Sequence, residues 1–132
     1  MANPQNLLPE KVLIVEDEFM LAVMLQDILE TLGVRQVSHA ATLADALDLV
    51  AREPFDFAFL DINLGKENSI PVARALADRD IRFVFASGYD AKFVAEGISA
   101  PLLRKPLGLD EIRTVLTASD FDTQSGRISR IG

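Results

Sequence analysis

Two periodicities alternate along this chain, and few folds accommodate both. Short apolar runs, rich in β-branched or aromatic residues, recur between segments whose apolar side chains return every three or four positions. Residues 11–15 (K-V-L-I-V) are the first run and predict a buried strand. Leu21, Met24, Leu25, Ile28, Leu29 and Leu32 then fall at i, i+3, i+4, i+7, i+8 and i+11, the stripe of an amphipathic helix that Gly33 would end. Residues 35–40 read as a second, weaker strand. Thr42-Leu43-Ala44-Asp45 has the form of a capping box with aspartate at the third helical position. It opens a helix with Leu43, Ala46, Leu47 and Val50 on one face, closed before Pro54. Residues 55–60 (F-D-F-A-F-L) are a third strand, followed by a loop over 62–68. Ser69 and Pro71 suit the start of a helix running to about Asp78. Residues 82–86 (R-F-V-F-A) predict a fourth strand, 90–96 a short helix and 102–104 a fifth strand. Leu109, Ile112, Val115 and Leu116 mark a last helix, with Asp110 and Glu111 well placed for its dipole.

Five βα units with apolar strands imply an α/β fold, a doubly wound parallel sheet covered on both faces. The 132 residues suffice for one domain, and 49% apolar composition gives it a core without staples. The domain is expected over 11–118, after an N-terminal extension of residues 1–10. Residues 119–132 have lost periodicity and are expected to form a mobile tail. The absence of cysteine excludes disulfides, thiol nucleophiles and thiolate metal sites. The one histidine, His39, cannot build a multi-histidine site; it reads as a strand-end residue, with a ligand or relay role as the lesser reading. A net charge of −7 makes nucleic acid and anionic membrane poor partners. With no signal-peptide pattern and no membrane-spanning apolar run, a cytoplasmic location is expected.

Open parallel sheets bind ligands beyond the carboxyl ends of their strands. The first strand ends in Glu16-Asp17, the third in Asp61, the fourth in Ser87 and the fifth in Lys105-Pro106. If the first and third strands are neighbours, Glu16, Asp17 and Asp61 share one small volume. Clustered carboxylates repel one another, and a divalent cation relieves that. Oxygen-only ligands with few protein donors suit Mg2+. A carboxylate beside Mg2+ and a lysine is equipped to act on phosphate. Asp61 would be the nucleophile that forms an acyl phosphate, Lys105 would neutralise the phosphoryl oxygens, and Ser87 would offer a hydroxyl. Taken singly these signals are weak: acidic residues after strands often cap helices, Ser-Gly is often a turn, and Lys-Pro is often loop. Their order, each at a predicted strand end, gives the combination its weight.

The motifs V-L-I-V-E-D-E at 12–18, F-L-D at 59–61, A-S-G-Y at 86–89 and L-R-K-P at 103–106 resemble those of the receiver domain of bacterial response regulators. The resemblance covers roughly residues 11–117. It implies a flavodoxin-like (βα)5 fold of strand order 2-1-3-4-5 and phosphorylation of Asp61 by a histidine kinase or histidine phosphotransfer protein. It also implies Mg2+ bound by Glu16, Asp17, Asp61 and the backbone carbonyl of Asn63, with Asp17 the more direct of the acidic pair. Ser87 resembles the switch hydroxyl and Lys105 the family's lysine, whose bond to Pro106 is typically cis there. Such a protein is a signalling component rather than an enzyme, expected as a monomer or weak dimer.

Two positions depart from the family pattern. Gly65 stands where a proline is usual, four residues after Asp61, so residues 65–68 are expected to be more mobile. Leu102 stands where an aromatic switch residue is usual, three residues before Lys105. Phe85-Ala86-Ser87-Gly88-Tyr89 resembles the F-A-T-G-Y signature of the stand-alone FAT GUY receivers, which lack that aromatic. That resemblance implies work with histidine kinases in stress-response signalling, as output regulator or as phosphate shuttle or sink. It leaves Tyr89 as the substitute switch, against the plainer reading of an aromatic in a turn.

Three other functions compete. A non-phosphorylated docking module would lack Asp61 or Lys105, and both are present. A phosphohydrolase of the haloacid-dehalogenase type would carry a second aspartate where Asn63 stands. A transcription factor would require an effector domain for which the tail is too short.

Overall fold

The computed structural model describes residues 8–87, 100–105, 107–117, 121–122 and 127–128. Its elements run β1 (Lys11–Val15), α1 (Phe19–Leu32), β2 (Gln36–Ala40), α2 (Leu43–Arg52), β3 (Phe57–Asp61), β4 (Asn63–Leu64), β5 (Glu67–Asn68), α3 (Ile70–Asp78), β6 (Arg82–Ser87), β7 (Leu102–Arg104), α4 (Leu109–Thr117), β8 (Phe121–Asp122) and β9 (Arg127–Ile128). Five strands form one parallel sheet in the order β2-β1-β3-β6-β7. Counting only that sheet's strands, this is the expected order 2-1-3-4-5. The expected helix at 90–96, the site residue Tyr89 and the Lys105–Pro106 bond lie outside the described residues.

Side chains alternate across a strand, so each strand contributes to two cores. Leu13, Val15, Ala58, Leu60, Phe83 and Phe85 face one way, with Ala46 and Val50 of α2 and Val72, Ala73 and Leu76 of α3. Val12, Ile14, Phe57, Phe59 and Val84 face the other, with Ala22 and Leu29 of α1 and Ile112, Val115 and Leu116 of α4. The aromatic residues are divided between the layers. Phe57 and Phe59 pack at 5.1 Å on the second face, Phe83 and Phe85 at 5.8 Å on the first. The register sets Ala58 opposite Phe83 and Val84 opposite Phe59, so a smaller side chain lies beside each ring. Phe57, Phe59 and Phe83 are fully buried, and truncating such a ring to alanine typically costs about 3–5 kcal/mol.

The helix ends follow their predicted chemistry at two places. The Thr42 hydroxyl accepts the Asp45 amide at 3.1 Å. Gly33 closes α1 with φ 114°, its amide donating to Leu29 and Glu30 carbonyls. At α3 the cap differs from expectation. Ser69 is the residue before the helix, but its side chain caps nothing, and Asn68 Oδ1 accepts the Ile70 amide at 3.0 Å. The helix α1 begins at Phe19, two residues earlier than its apolar stripe.

The expected loop over 62–68 is corrected. Asn63 pairs with Asn68 and Leu64 with Glu67, antiparallel, as a short hairpin turning through Gly65 and Lys66. Gly65 has φ 66°, and positive φ at the first central residue is where a type II′ hairpin turn places glycine. In the C-terminal stretch, Phe121 pairs with Ile128 and Asp122 with Arg127. Among the described residues no helix is long and apolar enough to cross a membrane.

Candidate functional site

The parallel register brings the carboxyl ends of β1, β3 and β6 to one edge, with the end of β7 beside them. Asp61 is the last residue of β3, paired with Ala86, and Ser87 the last of β6, paired with Arg104. Backbone bonds extend this alignment past the strands: the Ile62 amide donates to the Ala86 carbonyl at 3.2 Å and the Lys105 amide to the Ser87 carbonyl at 2.8 Å. Glu16 and Asp17 follow β1 directly. Adjacent strands therefore deliver their terminal residues to one spot without any long-range loop.

Three carboxylates meet there. Glu16, Asp17 and Asp61 each offer an oxygen within 4.8 Å of the others. Glu16 and Asp61 are buried, whereas Asp17 is exposed. The Lys105 ammonium lies 2.6 Å from Glu16 Oε1 and 3.0 Å from Asp61 Oδ2. One ammonium facing three carboxylates leaves two negative charges uncompensated when all are ionised. The donor set is thus hard, oxygen-only and short of positive charge, which fits Mg2+. Asn63 opens β4, two residues beyond Asp61, and its side chain is exposed. Ser87 is buried.

The electrostatics record the same imbalance. Burial, aided by the Asp61 charge, pushes the Glu16 carboxyl up to about 7, against the opposing hydrogen bonds from Lys105 and from the Glu18 amide. Burial by itself would lower Lys105; its hydrogen bonds to Glu16 and Asp61 outweigh that and raise it. Glu16 is held from several sides. Its amide donates to the Ala40 carbonyl at 3.0 Å, and its Oε2 accepts the Glu18 amide at 3.1 Å. Its carbonyl oxygen lies 2.7 Å from His39 Nε2.

The expected residues Glu16, Asp17, Asp61 and Lys105 are brought into one cluster, and Ser87 adjoins it through the Lys105 amide. Sequence reasoning missed the His39 contact, which spans 23 positions and leaves no local pattern. It also missed the surroundings. A cleft opens over Glu16, Asp61 and Lys105, walled by Leu21, Met24, Leu25 and Ile28 of α1 and by Leu107. Phe19 and Met20, each 69% exposed, and Met24, 50% exposed, give the start of α1 an apolar surface. The only sequence sign of this was apolar residues in excess of one helix face.

A family model for the response regulator receiver domain matches residues 12–117. The sporulation initiation phosphotransferase F of Bacillus subtilis (strain 168) is 29% identical over 110 residues, covering 79% of this chain and 88% of that protein. The solution structure of SdrG from Sphingomonas melonis Fr1 is 45% identical, with a TM-score of 0.71, covering 80% of this chain and 92% of that one. The BeF3-activated conformation of SdrG from Pseudomonas melonis Fr1 is also 45% identical, with a TM-score of 0.69, covering 81% and 92%.

Proposed function

The chain belongs to the response regulator receiver domain family, and from that premise we propose that Asp61 accepts a phosphoryl group from a histidine kinase or histidine phosphotransfer protein. The observation that carries this reading is the Lys105 ammonium bound to Asp61 at 3.0 Å within a cluster of three carboxylates. The similarity to a sporulation phosphotransferase and to a protein with a BeF3-activated state supports it. We take the receiver unit to be residues 11–118, with 119–132 as a tail outside it.

In this reading an Asp61 carboxylate oxygen attacks the donor's phosphorus. The new O–P bond forms as the bond to the donor's imidazole nitrogen breaks, and the imidazole leaves. No general base is required, because a carboxylate attacks without giving up a proton. Lys105 shifts part of its hydrogen bonding from Asp61 to the incoming phosphoryl oxygens, and Ser87 supplies a hydroxyl to them. Asp17, Asp61, Glu16 and the Asn63 carbonyl would hold Mg2+, which when bound neutralises charge on the transferred group. The exposed Phe19, Met20 and Met24 beside the cleft give a donor protein an apolar place to dock.

The finer assignment follows the Phe85-Ala86-Ser87-Gly88-Tyr89 segment, similar to the FAT GUY signature. Leu102 is 39% exposed on β7 and cannot act as a switch aromatic. We therefore assign switching to Ser87 and Tyr89. The output is protein–protein interaction or phosphate shuttling in stress-related signalling, by a monomer or weak dimer acting in the cytoplasm without nucleic acid. The test is labelling by a small phosphodonor. Wild type should incorporate phosphate only with Mg2+, and Asp61→Asn should incorporate none. Equal labelling of that variant would remove Asp61 as the acceptor.

A further inference from the structure

We propose that His39 is a positioning residue for the cation site, acting through the Glu16–Asp17 peptide; this rests on the phosphoacceptor reading above. The Asp17 carboxylate is the exposed member of the cluster and has no hydrogen bond or ion pair to a described residue. Among the described residues, its place is therefore set by its backbone. The peptide linking Glu16 to Asp17 is gripped at its carbonyl oxygen, 2.7 Å from His39 Nε2. A carbonyl oxygen only accepts, so Nε2 carries the hydrogen. The amide on the other side of Glu16 is held by the Ala40 carbonyl at 3.0 Å. Neighbouring residues of β2, one by its side chain and one by its backbone, thus fix both peptides that flank Glu16.

The Glu16 side chain has Lys105 and the Glu18 amide to hold it. Among the described residues, what holds Asp17 is the peptide plane that His39 orients. Losing the His39 hydrogen bond frees that plane to rotate and moves the Asp17 oxygen relative to those of Glu16 and Asp61. His39 itself is not a member of the carboxylate cluster, so its role is orientation rather than ligation.

The experiment is calorimetric titration of Mg2+ into the full chain, with melting temperatures measured in the absence of metal. His39→Ala should weaken Mg2+ binding by about tenfold, the scale of lost outer-shell support, while the loss of one part-buried hydrogen bond lowers the metal-free melting temperature by only a few degrees. His39→Gln, whose side-chain N–H lies the same number of bonds from Cα, should recover most of the affinity. A metal-free ¹⁵N spectrum should show the Asp17 amide shifted in His39→Ala and restored in His39→Gln. Wild-type affinity in His39→Ala, or no recovery in His39→Gln, overturns the proposal. A wild-type protein that binds no Mg2+ overturns the phosphoacceptor reading and this proposal together.

Discussion

The Lys105 ammonium bridges Glu16 and Asp61, 2.6 Å from one carboxylate and 3.0 Å from the other. A single cation thereby holds together two buried acids, one just after β1 and one at the end of β3, that would otherwise repel. It also occupies the negative potential that a metal ion would use, so lysine and metal compete for the same charge.

Replacing Lys105 with methionine separates these roles. The buried carboxylates lose their common partner, and removing one member of a buried ion pair costs about 3 kcal/mol, the low end of its range because the cleft is open. Lys105→Met should therefore melt earlier without metal yet bind Mg2+ more tightly than wild type, and fail to accept phosphate. Weaker Mg2+ binding in that variant would show that the lysine organises the site rather than competing within it.

Asp17→Ala tests the exposed carboxylate. Removing a direct ligand should lower Mg2+ affinity by at least about tenfold. Because Asp17 has no described partner, the metal-free melting temperature should stay within about 1 °C of wild type, as expected of surface substitutions. Unaltered Mg2+ affinity in a titration would strike Asp17 from the ligand set.

Ser69 is fully buried, and its hydroxyl has no hydrogen-bond partner among the described residues. An unmet buried hydroxyl costs about 1–3 kcal/mol, and this one does not cap α3, since Asn68 does. Ser69→Ala should raise the melting temperature by about 2–4 °C and leave Mg2+ affinity alone. A drop of similar size would mean that the hydroxyl is satisfied in solution.

Gly65→Pro restores the residue usual in the resembling family and should nevertheless harm this protein. Proline requires φ near −65°, whereas Gly65 has φ 66°. A Cβ at Gly65 would meet nothing within 4 Å, so the penalty is conformational rather than steric. Gly65→Ala should cost about 1 kcal/mol, and Gly65→Pro more, with loss of the cross-strand amide signals between Asn63 and Asn68. Intact signals in the proline variant would contradict the turn assigned to this segment.

What the sequence disclosed depended on how local its cause was. The run F-A-F-L over 57–60 is buried on both faces, and continuous apolarity announces that directly. Thr42 and Gly33 act within one helical turn, and both ends were readable. Glu16, Asp61 and Lys105 were readable because strand ends converge in any sheet of this topology. The β4–β5 hairpin was not. Its strands are two residues each, mostly polar, and too short to show a period. Asn68 displaced Ser69 as the cap of α3 because either residue type can serve, and only burial of Ser69 decides between them. The His39 bond joins a side chain of one strand to a backbone beyond another, which no spacing rule detects.

One consequence follows from β2 lying at the edge of the sheet, where β1 is its one strand partner and α1 and α2 pack beside it. Edge strands are among the first segments to open and exchange their amide hydrogens, well below the free energy of global unfolding. His39 and Ala40, which grip the two sides of Glu16, travel with that strand. Fraying of that edge therefore loosens the acidic pair as it draws Ala40 and Val37 out of the two hydrophobic layers, and a bound cation, by mass action, holds the edge shut. Amide exchange in residues 36–40 becomes a gauge of occupancy at a site on the neighbouring strand.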